Sequence, residues 1–175
     1  MKTTSFEEIE SKVDSLLKEL GIQKPAVNPS AIARHLGLDV IYQDMNSDGI
    51  SGLLAIKGGR SVIAVNKDDR SRRQNFTIAH ELGHYMLHYS PEELFVDYGS
   101  KNGLTVFYRA NLSNREETEA NVFAANLMMP KFMVESKIKE SDQAYLSEEF
   151  VSDIAEEFQV SQLAMTYRLQ NLGLL

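Results

Sequence analysis

His80-Glu81-Leu82-Gly83-His84 sets two imidazoles four residues apart with a glutamate beside the first. On a helix, four residues make about 1.1 turns, so both rings leave one face and two nitrogens can meet one Zn²⁺. Glu81 then stands next to that metal and can take the proton of a water whose pKa the metal brings down to near 7. An H-E-x-x-H pattern fixes only three positions and also arises by chance on helix surfaces. Here apolar residues surround it and bury the helix, where His and Glu without a partner are costly. The chain has no cysteine and four histidines, so any metal must be held by His and carboxylate.

A catalytic zinc site needs a third protein ligand and one open position. His88 continues the series, but on a straight helix it lies about 12 Å along the axis from His80, too far to share an ion, and reads as a packing or supporting residue. A third His six residues after His84, preceded by a glycine turn, is excluded because Leu87 and Ser90 occupy those places. The ligand must then be a carboxylate. A helix expected from Ser113 offers Glu116, Glu117 and Glu119. Glu117 shares the face of Ala120, Ala124 and Met128, Glu119 falls at its margin, and Glu116 can close a capping box with Ser113. Glu117 is therefore the choice and Glu119 the alternative; Asn121, one turn on, is expected to orient Glu117. Tyr85, Tyr89 and Tyr108 are candidates for an oxyanion donor.

The elements that must hold these residues read as an α+β fold: a small, mostly antiparallel sheet packed on the metal helix, with further helices at both ends. Residues 5–20 carry apolar positions at helical spacing from Ser5 as cap to Gly21 as stop. A short helix follows from Asn28-Pro29-Ser30 to Gly37, and LDVIYQ, ISGLLAIK and RSVIAVN read as strands, the last two as a hairpin or meander on the first. From Arg70 the period becomes that of a helix, closed by Pro91. Residues 90–113 read as a long loop, with a strand at LTVFYR, and the helix from Ser113 ends at Pro130. Two helices joined at Gln159-Val160-Ser161 close the chain. The division expected is a zincin-like peptidase domain over 1–135 and a helix-turn-helix-like module over 136–175.

The chain has 175 residues and a net charge of −7. No apolar run reaches the ~18 residues of a membrane span, and the acidic N-terminus lacks a signal-peptide h-region, so a cytoplasmic location is expected. Residues 113–157 hold 4 Lys+Arg against 11 Asp+Glu, a poor surface for phosphates. The basic cluster Lys67, Arg70, Arg72 and Arg73, diluted by Asp68 and Asp69, reads as a solvated loop.

FTIAHELGHYMLH followed by ETEANVFAANLMMP resembles the ImmA/IrrE family of bacterial and phage zinc metallopeptidases, over about residues 25–135 and with IARHLGLDV and the VIAVN strand in place. The family's second motif maps onto Glu117, Glu119, Ala120, Asn121, Phe123, Ala124, Ala125, Leu127, Met129 and Pro130. It supports Glu117, because the family also accepts Gln, a poor zinc ligand, at the place of Glu119. The spacing is gluzincin-like as well. What the resemblance implies is cleavage of a helix-turn-helix repressor, freeing genes of mobile elements or stress responses.

The leading expectation is therefore a zinc endopeptidase with His80, His84 and Glu117 as ligands and Glu81 as base. Its substrate is expected to add as a strand to a sheet edge, with RSVIAVN the candidate. The competing expectation is a DNA-binding or protein-docking regulator with a zinc site, because IAEEFQVSQLAMTYRLQNLGLL resembles a helix-turn-helix. Its second helix, however, offers only Arg168 to bases or phosphates, and the helix before it carries Glu148, Glu149, Asp153, Glu156 and Glu157. Direct nucleic-acid binding is not expected, and the tail reads as a packing or docking module.

Overall fold

Ser5 caps the first helix, α1 (Phe6–Glu19), by accepting the Glu8 N–H while Glu8 reaches back to the Ser5 N–H. Gly21, at φ +66°, ends it in the left-handed conformation that glycine adopts without strain. Asn28 caps α2 (Pro29–His35), whose first residue is a proline that needs no hydrogen-bond donor there. Three strands follow, β1 (Leu38–Gln43), β2 (Gly52–Lys57) and β3 (Arg60–Asn66), then α3 (Ser71–His88), α4 (Asn114–Met128), α5 (Lys131–Glu140), α6 (Glu148–Glu157) and α7 (Gln162–Asn171). The structure is a computed structural model that describes residues 5–45, 51–57, 59–88, 114–141 and 145–175.

The class is α+β, as expected, but the sheet is mixed rather than mostly antiparallel. Its order is β1-β3-β2. β2 and β3 form the expected antiparallel hairpin, with Leu54 opposite Ile63, whereas β1 lies parallel to β3, with Leu38 opposite Ser61. The residue types explain the arrangement. β3 contains Val62-Ile63-Ala64-Val65, an uninterrupted apolar run that suits a strand covered on both faces, and Ile63, Ala64 and Val65 are all buried. β3 therefore takes the centre, and neither of its edges is open to a substrate strand. RSVIAVN cannot be the docking edge expected from the sequence.

By contact, the chain groups into two compact units, residues 28–124 and residues 1–27 with 125–175. In the first, α3 packs on α2, β2 and β3. Its core includes Ile32, Leu38, Ile63, Ile78, Leu82 and Phe123, all almost wholly buried. Phe76, Met86 and Leu87, placed on the apolar side of the metal helix by periodicity, are only half-buried. In the second unit, α6 and α7 pack together around Val151, Ile154, Phe158, Val160, Met165 and Leu169. Ser147 and Ser161 cap these two helices, and Gln159, at φ +55°, makes the turn between them. α5 was not expected. It follows Pro130 directly, with no side-chain cap, and its mixed sequence KFMVESKIKE carries a weak apolar stripe. The Ser113 cap, the LTVFYR strand, Tyr89 and Tyr108 fall outside the described residues.

Candidate metal centre

α3 and α4 lie antiparallel along the H-E-x-x-H segment, and Gly83 sets how closely they approach. A Cβ there would come within 3.0 Å of both Ala120 Cα and Ala120 O. That is tighter than most real Cβ contacts and the neighbour is backbone, so glycine opposite alanine is what lets the two helices meet without giving way. The closeness brings Glu117, one helical turn before its neighbour Asn121, over the two histidines. Its Oε2 is 3.4 Å from His80 Nε2 and its Oε1 is 3.3 Å from His84 Nε2. The two Nε2 atoms are 2.9 Å apart.

The three side chains converge, each offering one donor atom, with these atoms all within 4.8 Å of one another. Donors on tetrahedral arms of 2.0–2.1 Å stand about 3.3 Å apart, so the set suits an ion of zinc's size. The second ring nitrogens support the fit. His80 Nδ1 donates to Asn121 Oδ1 at 3.1 Å, which leaves the lone pair on Nε2, the atom that faces Glu117. Burial holds the His80 imidazole below its ordinary pKa, against the pull of Glu117 and Asn121 and with help from Arg73, and so favours the neutral form that ligates metals. Asn121 thus supports His80 rather than Glu117, the partner expected for it. Glu119 is turned away from the pair. It is buried, bonded to Arg115 Nε at 2.7 Å and 3.7 Å from His88 Nε2.

Glu81 is buried on the same helix, and its carboxyl accepts the backbone N–H of Leu54. Burial first and the Glu117 charge second push it up to about 7, partly offset by that N–H. The Leu54 contact ties the site to the sheet. Asn66 N–H donates to Ser51 O at 2.8 Å, so residues 53, 55 and 57 bond to β3, while Gly52, Leu54 and Ile56 turn their backbone groups to the other edge, which among the described residues pairs with no strand. Gly52 lies so near α3 that a Cβ would overlap Thr77 Cγ2. Gly52 beside Thr77 and Leu54 beside Glu81 make two strand residues keep pace with four helix residues, since both cover about 6–7 Å. The edge strand next to the metal helix is therefore β2. The glycine inside the H-E-x-x-H segment was a readable signal for the close helix approach; nothing in the sequence pointed to the Leu54 N–H.

A family profile described as the IrrE N-terminal-like domain of a peptidase family matches residues 33–170. The chain belongs to the ImmA/IrrE family. As an ImmA/IrrE protein it carries a metallopeptidase-type domain, and among the described residues His80, His84 and Glu117 form a group able to hold a metal ion. No curated protein matches the sequence. Among solved structures, a Mycobacterium tuberculosis transcriptional regulator matches with a TM-score of 0.61 and 14% identity, over 93% of this chain and 46% of that one. At that identity the likeness is one of fold, and this chain spans about half the length of the regulator. Among the described residues, no helix is long and apolar enough to cross a membrane.

Proposed function

We propose that this chain is a zinc-dependent endopeptidase that cleaves a helix-turn-helix transcriptional repressor in the cytoplasm and so frees genes of a mobile element or a stress response. The observation that carries the reading is the convergence of His80, His84 and Glu117 with Glu81 buried on the same helix. A Zn²⁺ held by the three side chains supplies Lewis acidity toward a scissile carbonyl and lowers the pKa of water to near 7. Glu81 takes the proton of the water as its oxygen attacks the carbonyl carbon, and returns it to the amide nitrogen as the C–N bond breaks. Burial of the Glu81 carboxyl favours its protonated form more than water would, which suits holding the proton until the amide nitrogen takes it. Glu117, 42% exposed, marks the side from which a peptide reaches the site.

The outer edge of β2, unpaired among the described residues, supports a peptide substrate. An extended chain pairing with the outward backbone groups of Gly52 and Ile56, on either side of the Leu54 N–H that Glu81 holds, lies alongside Glu81 and needs no particular side chains to be held there. Direct DNA reading is disfavoured by Arg168, the one basic residue of α7. It is 7% exposed, with Nε donating to Met129 O at 2.9 Å and Nη2 to Asn126 Oδ1 at 2.8 Å. The outer side of α7 carries Leu163 and Tyr167 instead, which suits contact with a protein.

Glu81→Gln keeps the shape and the acceptor for Leu54 while removing the base. Co-expressed with a cognate repressor, this variant is expected to retain full zinc and repressor binding but to lose cleavage by at least ~100-fold, as read from the fragment on a blot. Cutting at the parental rate would refute Glu81 as the base.

A further inference from the structure

Glu117 is presented from near the start of α4, where the backbone has few helical hydrogen bonds to steady it. Its aim over the two Nε2 atoms therefore depends on what grips that turn from outside. His88, the last residue of α3, lies against it. Its Nε2 is 3.3 Å from the backbone carbonyl of Glu116, the residue before the ligand, and 3.7 Å from Glu119 Oε2. The His88 and Glu119 side chains are 8% and 7% exposed, so the contact is made out of water. Glu119 is fixed in turn by Arg115 Nε at 2.7 Å. The His84 and His88 ring centres are 5.7 Å apart, so His88 neighbours the ring whose Nε2 faces Glu117.

We propose that His88 is a positioning residue for the metal centre. It donates from Nε2 to the Glu116 carbonyl and so holds the Glu117 carboxylate over His80 and His84. The inference rests on reading those three side chains as metal ligands. Two interhelical hydrogen bonds then bracket the donor set, His80 to Asn121 on one side and His88 to Glu116 on the other. The Glu119 carboxylate, 3.7 Å from the same nitrogen, favours a hydrogen on Nε2, and Arg115 holds that carboxylate in place. This accounts for a buried histidine two turns beyond the first ligand that is too far along the helix to share its ion.

The test uses the full chain, with Zn²⁺ affinity measured against a competing chelator and Co²⁺ absorption as the probe of ligand geometry, at a temperature where every variant compared is folded. His88→Ala is expected to weaken Zn²⁺ binding about 10–100-fold and to change the Co²⁺ visible spectrum. His88→Gln, which offers an N–H near the same place, is expected to restore affinity to within about threefold of the parent and to return the spectrum. A structural role alone would lower the melting temperature and leave the affinity of the folded protein unchanged. Parental affinity in His88→Ala, or a folded His88→Gln as weak as the alanine variant, would overturn the proposal while leaving the ligand set standing. Where His88→Ala does not fold, a tenfold loss in folded His88→Gln overturns it equally. A parent chain that binds neither ion overturns the ligand reading and this proposal with it.

Discussion

Burial takes the Glu81 carboxyl out of water and Glu117 adds a second negative charge nearby, and together they raise it from the ordinary 4.5 to about 7. A carboxyl that holds its proton more tightly when folded contributes stability that is full below pH 4.5 and lost as pH rises through 7. At 1.36 kcal/mol per pH unit, the metal-free chain loses up to ~3 kcal/mol across that window. Glu81→Gln has no charge to desolvate, so its stability relative to the parent is expected to grow between pH 5 and pH 8 when unfolding is followed by urea titration in chelator. A difference constant with pH would contradict the assignment. The ligands themselves are tested by metal content. His80→Ala or His84→Ala is expected to abolish stoichiometric zinc, and Glu117→Gln to weaken it more than Glu119→Gln, because Glu119 faces Arg115 and His88 instead of the histidine pair. The reverse order would move the ligand to Glu119. Gly83→Ala inserts a methyl against the Ala120 backbone and pushes Glu117 away, so it is expected to reduce zinc affinity although it touches no donor atom.

Among the elements, β2 and α3 meet tightly where Gly52 faces Thr77. Gly52 tolerates no Cβ because Thr77 Cγ2 occupies that space and Ala64 O lies 3.0 Å away. Gly52→Ala is therefore expected to cost about 1–3 kcal/mol, the usual penalty of overpacking, and to disturb the Leu54–Glu81 bond two residues on. Thr77→Ser removes Cγ2. In combination with Gly52→Ala it is expected to recover at least half of the lost stability, measured as the coupling in a double-mutant cycle. Independent, additive effects would mean that the strand and the helix do not share this contact. β2, not the RSVIAVN strand expected from the sequence, is the edge beside the metal helix. RSVIAVN lies next to the metal helix along the chain, whereas strand order is decided by which strand can be covered on both faces, and that is β3.

For the whole molecule, the question is whether the acidic second half meets DNA or protein. With Arg168 turned inward and Glu148, Glu149 and Asp153 exposed on α6, the isolated chain is expected to show no sequence-specific, salt-sensitive DNA binding in anisotropy titrations across ionic strength. Sub-micromolar affinity with a steep salt slope would restore the regulator reading. Much of this protein was legible in the residues themselves. Periodicity, caps and stops locate nine of the ten described elements, because helix ends and strand breaks are written in local chemistry such as Ser5, Gly21, Asn28 and Ser161. α5 escaped because its apolar stripe is weak and its start lacks a side-chain cap. The His80 and His84 pair was equally local, since four residues on a helix fix their relation whatever the rest of the chain does. What depended on two segments meeting was left to the tertiary structure: Asn121 choosing His80 over Glu117, Glu119 withdrawing to Arg115, and the Leu54 N–H reaching Glu81. Those outcomes follow from the distance between backbones, which Gly83 and Gly52 set, and spacing along one segment carries no information about the depth to which another will pack against it.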